Sequence, residues 1–340
     1  MMRILIVRLS ALGDVIHGLP VACALRDALP EAFLGWIVEG GAGDLLEGHD
    51  ALNEVVRVPR GWLKSPSEVW KARQRLRHLR FDTSIDLQAL TKSAIAGRLS
   101  GARRRIGKAG SDGRELSKLL NNELVALEGG HVIDHYLGLL GPLGIHRPRV
   151  RFGVPRWPAD ELVIDRYLNS NKFGRGFLLI SPGAGWPSKL WPVERYGEVA
   201  RHVACEHDVP SVVAWAGEQE RHLAEDVVRH SRQHAVIAPP TSIRELATMA
   251  RRARLFLGSD TGPMHLAVAV GTPAISLHGP SRAEWCGAYG PRNIRLQVRL
   301  DDQRVRHRYN TDDSAMRAIT SSMVCQACDE MLSRAVRRCG

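Results

Sequence analysis

The chain has 340 residues, 44% of them hydrophobic, and a formal net charge of +11. It is long for one open sheet and comfortable for two domains, each with its own core. Six scattered cysteines exclude a disulfide framework, and no apolar run approaches the roughly 18 residues of a membrane span.

The first strand is expected over Arg3 to Val7, and it leads straight in, without a leader pattern, so a cytoplasmic protein is expected. Arg8 to Gly13 reads as a loop and Asp14 as the N-cap of a helix reaching towards Ala28. Asp14 would stand at the C-terminal end of strand one, where open α/β sheets bind ligands. An N-cap aspartate needs no catalytic role, and both readings stand at this point. Phe33 to Glu39 and Val55 to Val58 read as strands two and three. The Gly40 to Gly43 run between them is no dinucleotide fingerprint, because Leu46 stands where the third glycine belongs. Gly101 to Lys108 misses the phosphate-loop spacing by one residue, and Ala109 replaces the Ser or Thr.

Much of the positive charge lies in two clusters, Arg57 to Arg80 and Lys92 to Lys108. Helix-turn-helix and zinc-finger spacings are absent and few aromatics separate the charges, so nucleic acid is not an expected partner. A solvated helix face accounts for Glu68 to Arg80; an anionic membrane or an acidic substrate is the other use. Phe81 to Leu87 reads as strand four, ending at Asp86-Leu87-Gln88 before a helix carrying Lys92. Asp86 is expected to tie up loop backbone, whereas Gln88 and Lys92 can meet an acceptor. A polar segment, Lys108 to Asn122, and a helix around His131 to Leu140 follow. The proline-rich stretch Gly141 to Pro158 is the candidate linker.

In the second half, strand Phe177 to Ile180 runs into Ser181-Pro-Gly-Ala-Gly-Trp-Pro-Ser-Lys-Leu-Trp-Pro192 and an amphipathic helix from Val193. The glycines let N–H groups converge, and Lys189 supplies a cation suited to phosphate. Trp191 is expected to pack rather than stack on a base. After strand Val212 to Ala216, a carboxylate in Gly217-Glu-Gln-Glu-Arg221 can hold ribose hydroxyls, either Glu218 or Glu220. Thr241 to Leu246 is a capping box with Glu245 at its third position. Leu255 to Ser281 then packs strand, polar turn, short helix and strand into one β-α-β step. Asp260, Thr261, Gly262 and His265 gather at its helix start, with Pro263 in the first turn. His265 is either a phosphate contact or a satisfied core histidine. The tail Asp312 to Arg338 reads as helix. Cys325 and Cys328 have metal-like spacing but no evident second pair, so the expectation there is two small apolar residues and no metal.

Ser-Asp-Thr-Gly-x-x-His-x-x-x-Ala-x-x-x-Pro from Ser259, followed by a strand and Gly-Pro-Ser, resembles the nucleotide-binding signature of glycosyltransferase family 9, the bacterial heptosyltransferases of lipopolysaccharide synthesis. Three further stretches resemble the family: the Gly13-Asp14 opening with Pro20 in register, Ile85-Asp-x-Gln-x-x-x-Lys-Ser93, and Lys189-Leu-Trp-Pro192. Gly-Asp-Val-Ile-His, Trp-Ile-Val-Glu-Gly and the tyrosine loop near Gly290 resemble its heptosyltransferase I group. Arg8 and Ala11 depart from the family's Lys and Ser.

The resemblance implies a GT-B fold, two Rossmann-like parallel-sheet α/β domains facing a cleft. Residues 1–150 would bind acceptor, 151–311 would bind the nucleotide-sugar donor, and a C-terminal helix within 312–340 would pack back on the first domain. It implies an inverting transferase with Asp14 as general base, Lys189 on the donor pyrophosphate, and Ser10, Gly13, Glu220, Asp260, Thr261, Gly262 and His265 around the donor. Arg57, Arg60, Lys64, Gln88 and Lys92 would face the acceptor. The implied donor is ADP-L-glycero-D-manno-heptose and the implied acceptor is anionic Kdo-lipid A, met by a monomer peripheral at the inner membrane. No Asp-x-Asp occurs in the sequence, so neither metal nor cofactor is expected at the diphosphate. The alternatives are another sugar pair within the family, or a nucleotide-binding protein without transfer activity.

Overall fold

The computed structural model describes residues 1–110, 116–127, 130–174, 176–298 and 312–336. The chain divides into two compact units, Met1–Pro155 and Arg156–Gly340.

The first unit holds a parallel sheet of β1 (Arg3–Val7), β2 (Phe33–Glu39), β3 (Glu54–Val58), β4 (Thr83–Asp86), β5 (Arg104–Lys108) and β6 (Glu123–Val125), in the order β3-β2-β1-β4-β5-β6. Helices α1 (Leu12–Ala28), α2 (Pro66–His78), α3 (Thr91–Ser100), α4 (Ser117–Leu120) and α5 (Val132–Gly138) complete it. Strand β1 is buried from Ile4 to Val7, as its unbroken apolar run requires of a strand covered on both faces. Its register sets Val7 beside Ile37 on one side and Asp86 on the other. The order of connection reverses between β1 and β4, so the chain leaving β1 and the chain leaving β4 border one crevice at the switch point.

The second unit repeats this plan. Its helices are α6 (Pro158–Ser170), α7 (Val193–His207), α8 (Gly217–His230), α9 (Ile243–Arg252), α10 (Gly262–Ala269), α11 (Ala283–Cys286), α12 (Ser314–Ala318) and α13 (Ser321–Val336). The strands β7 (Leu178–Ser181), β8 (Ser211–Val213), β9 (Ala235–Ile237), β10 (Leu255–Ser259), β11 (Ala274–His278) and β12 (Ile294–Gln297) run in the order β12-β11-β10-β7-β8-β9. Its switch point lies between β7 and β10, with Ser181 beside Gly258. A Cβ on Gly258 would stand 2.8 Å from the Ser181 carbonyl oxygen, so only glycine lets the two strand ends approach this closely. The capping box forms as read, with Ser242 Oγ accepting from the Glu245 N–H and Glu245 Oε2 from the Ser242 N–H.

Several expectations are corrected here. Helix α1 begins at Leu12 with Ala11 as N-cap, so Asp14 sits in the first turn rather than at the cap, its carboxylate accepting from the Ala11 N–H. The unit boundary falls after Pro155 rather than at residue 150. Arg151 pairs with Asp27 at 2.6 Å and His49 Nε2 bonds the Phe152 carbonyl at 2.9 Å, which hold that stretch to the first unit. The tail forms two helices, and the described part of α13 buries Val324, Ala327, Cys328, Met331 and Leu332 in the second unit's own core. It packs on α7 of the same unit. Residues 111–115 of the polar segment, and residues 337–338 of the tail, lie outside the described residues.

Candidate active site

Each unit gathers a cluster of candidate residues at the C-terminal edge of its sheet, at the switch point. In the first unit β1 ends at Val7 and the loop carries Arg8, Ser10 and Gly13 to Asp14. Arg8 Nη2 stands 2.5 Å from Asp14 Oδ2, with the arginine side chain buried and the carboxylate 41% exposed. Arg8 is placed by what surrounds it: its carbonyl accepts from Trp36 Nε1 at 3.1 Å and its guanidinium lies over the Tyr136 ring. A buried cation thus orients a carboxylate that still faces solvent.

Beside this pair, Lys92 Nζ lies 3.1 Å from Ser10 Oγ and 3.1 Å from Glu39 Oε2. Gln88 Oε1 accepts from the Leu9 N–H at 3.0 Å, tying the loop after β4 to the loop after β1. Asp86 is the backbone tie it was read to be, with Oδ1 accepting from the N–H groups of Gln88 and Ala89 at 3.0 Å each. Its burial raises the carboxyl, against hydrogen bonds from Ser93, Ala89, Asn121 and Gln88. Arg57 is paired at the surface with Asp44 and Glu47, and Arg60 and Lys64 are exposed. Ser10, Gly13, Gln88 and Lys92 therefore join Asp14 in one cluster, while Arg57, Arg60 and Lys64 lie along β3 and the turn after it.

In the second unit the loop after β7 brings Lys189 to the turn after β10. Lys189 Nζ donates to Asp260 Oδ2 at 2.6 Å and to the Asp260 carbonyl at 3.2 Å, and Ser259 Oγ donates back to the Lys189 carbonyl at 2.7 Å. His265 Nε2 lies 3.1 Å from Asp260 Oδ1. Asp260 is almost wholly buried. That burial by itself would raise the carboxyl, yet the His265 hydrogen bond and the charges of His265 and Lys189 hold it well below the ordinary carboxylate range. His265 is itself buried, with Asp260 as a hydrogen-bonding partner.

Helix α10 starts at Gly262 with Thr261 as N-cap in extended backbone and Pro263 in the first turn. No side chain caps it, and its start follows directly on Asp260, the partner of Lys189; a helix N-terminus of this kind suits an anion. The loop glycine Gly183 meets the partly buried Glu220, against whose carboxyl group a Cβ on Gly183 would collide. Glu220 Oε2 accepts from the Ala216 N–H at 2.8 Å, and burial raises its carboxyl. Glu218 is 74% exposed, so of the two it is Glu220 that meets the Gly183 loop. Trp191 packs edge-on against Tyr196 and donates to the Ile319 carbonyl at 2.8 Å, the packing role expected of it.

Sequence reasoning missed Arg8 as Asp14's holder, Glu39 as Lys92's partner, and His278 and Cys286 in the second cluster. Burial pushes His278 down to about 4, with Asp260 opposing, and its ring nitrogens meet Ser276 and Ser281. Cys286 Sγ donates to Asp260 Oδ2 at 3.4 Å. A histidine ending a buried strand directly before Gly-Pro-Ser was the available signal for the first of these; the others are brought in by tertiary folding.

Residues 69–315 match the family model of Glycosyltransferase family 9 (heptosyltransferase). The lipopolysaccharide heptosyltransferase 1 of Pseudomonas aeruginosa is 29% identical over 304 residues, covering 87% of this chain and 83% of that protein. A glycosyl transferase family 9 structure from Veillonella parvula superposes with a TM-score of 0.86 at 21% identity over 98% of both chains. E. coli heptosyltransferase WaaC with ADP gives 0.79 at 22% identity, over 97% of this chain and all of that one. The two sheets and these likenesses give the fold as GT-B.

Proposed function

Because the chain belongs to glycosyltransferase family 9 and is a glycosyltransferase, we propose that it transfers heptose from ADP-L-glycero-D-manno-heptose to the Kdo-lipid A acceptor of the lipopolysaccharide inner core. The observation that carries the reading is the second-unit cluster, in which a buried aspartate holds Lys189 at the turn that starts α10, a helix with no side-chain cap. That pairing suits a diphosphate. The lysine ammonium and the Thr261 and Gly262 N–H groups would stabilise charge on the departing ADP, a task that needs preorganised positive groups. Glu220 at the edge of the Gly183 loop would take the ribose hydroxyls.

Asp14 is the proposed general base. As the acceptor oxygen bonds to the anomeric carbon and the carbon–phosphate-oxygen bond breaks, the hydroxyl proton passes to Asp14, in a single displacement that inverts the anomeric centre. Arg8 is the positioning residue that aims the carboxylate. Ser10, Lys92 and Gln88 form the polar floor near Asp14, and Arg57, Arg60 and Lys64 would meet the acidic acceptor. The diphosphate is proposed to be neutralised without metal, by a monomer at the cytoplasmic face of the inner membrane. No helix among the described residues is long and apolar enough to cross a membrane.

The test is ADP release from ADP-heptose and Kdo₂-lipid A without added metal, wild type against Asp14→Ala. Acceptor-dependent release that survives EDTA and falls in the variant by about 10² to 10⁴ supports the reading. ADP binding without release would leave the fold and overturn the sugar pair. Failure to bind ADP would overturn the roles given to Asp260, Lys189 and Thr261.

A further inference from the structure

Away from the switch-point cluster, the second unit brings together three side chains for which its chemistry has no use. His202 and His207 lie on α7 and Asp329 on α13, more than a hundred residues away in sequence. His202 Nε2 stands 2.8 Å and His207 Nε2 2.6 Å from the same oxygen, Asp329 Oδ1. One ligand atom from each of the three residues lies within 4.8 Å of the others. The two rings are tilted 70° to one another with centroids 6.4 Å apart, so both nitrogens aim at one point from different directions. All three side chains are part-exposed, at 29%, 20% and 43%, which leaves a route in from solvent and room for water.

We propose that His202, His207 and Asp329 form a surface site for a divalent first-row transition ion, joining α7 to α13. Two imidazole nitrogens and one carboxylate oxygen are the donor set that suits zinc, cobalt, nickel or copper, whereas magnesium and calcium prefer oxygen alone. Metal–nitrogen and metal–oxygen bonds of about 2.0 Å in a tetrahedron place donors about 3.3 Å apart. The two nitrogen–oxygen separations, 2.8 and 2.6 Å, would open towards that spacing to admit the ion, and water would fill the fourth position. His207 lies in the last turn of α7, where the helix end carries partial negative charge and favours a cation. The framework is held independently of any ion. The core contacts of Val324, Cys328 and Leu332 fix α13, and Trp191 and Arg195 donate to the Ile319 carbonyl just before it.

The site is separate from the proposed transfer chemistry, so its test reads binding rather than turnover. Untagged protein freed of metal is titrated with cobalt(II) and zinc(II), followed by the visible cobalt spectrum and by calorimetry, with magnesium as control. One equivalent should bind the wild type, magnesium should not compete, and zinc should raise the thermal midpoint. His202→Ala and His207→Ala should each weaken binding by at least about tenfold. Asp329→Asn, which keeps the shape of the side chain and so tests binding in a folded protein, should do the same. Cys205→Ser should bind as the wild type does, although that cysteine is exposed on the same helix. Wild-type affinity retained in Asp329→Asn, or no binding by wild type, would overturn the proposal; the trio would then be a hydrogen-bonded clamp only.

Discussion

The two units each set a carboxylate at the switch point of the same sheet order, after the first strand in one and after the fourth in the other, and prepare it in opposite ways. In the first, Asp14 is partly exposed and held on one side by a buried arginine. In the second, Asp260 is nearly buried and engaged by Lys189 and His265 together. A carboxylate with an open face is suited to exchange a proton with a substrate. A buried one enclosed by cations is suited to hold those cations still, because ionising it needs their presence and removing it leaves them uncompensated. One sheet plan thus yields an accessible carboxylate at one switch point and an enclosed, ion-paired one at the other.

The contrast is sharpened first at Asp14. Asp14→Asn preserves an acceptor for the Ala11 N–H while losing the base, so kcat should fall by about 10² to 10⁴ with ADP affinity unchanged; steady-state turnover and ADP calorimetry separate the two. Asp260→Ala should behave otherwise. It strands a buried histidine and lysine, and stability should fall by about 3–5 kcal/mol in urea unfolding, with ADP affinity lost as well. If Asp260→Ala unfolded like wild type while losing only kcat, the two carboxylates would not differ in the way described.

pH offers a third test. His278 protonates near 4 in the folded protein against about 6.5 when exposed, burial being the cause. The unfolded chain therefore binds the extra proton first, so the stability this residue contributes is complete above about pH 6.5 and drains away as pH falls towards 4. The loss should reach about 3 kcal/mol, and it should be absent in His278→Gln when urea midpoints are compared across that window. Asp260, whose carboxyl is held below the ordinary range, keeps its contribution until pH falls under about 3.8, so the two groups separate on the pH axis.

Smaller effects follow at the donor loop and at a helix start. Gly183→Ala forces a methyl group against the Glu220 carboxyl and should cost about 1–3 kcal/mol with weaker ADP binding, read by calorimetry. Ser242→Ala removes the α9 cap and should cost about 1 kcal/mol without changing turnover.

Much of this was legible because it is local. Buried strands such as β1, β2, β10 and β11 announce themselves as apolar runs between turn residues. The α9 capping box is a short spacing rule, and the Thr261-Gly-Pro start of α10 is turn and helix chemistry written in adjacent residues. Short strands at or next to a sheet edge were not legible: β5 (Arg-Arg-Ile-Gly-Lys), β6, β9 and β12 carry too little apolar pattern, and they become strands through the backbone bonds their neighbours offer.

By itself, then, the sequence determined two α/β halves, the residues that end β1, β4, β7 and β10, and the set of polar groups delivered to those ends. Only the tertiary structure decided how those groups pair. That Arg8 holds Asp14, that Asp260 faces both Lys189 and His265, that Glu220 rather than Glu218 meets the Gly183 loop, and that α13 buries its apolar face on α7 all join residues distant in the chain or choose between near neighbours. Periodicity and capping act over a few residues, whereas ion pairing and core packing depend on which strand ends the sheet order makes neighbours.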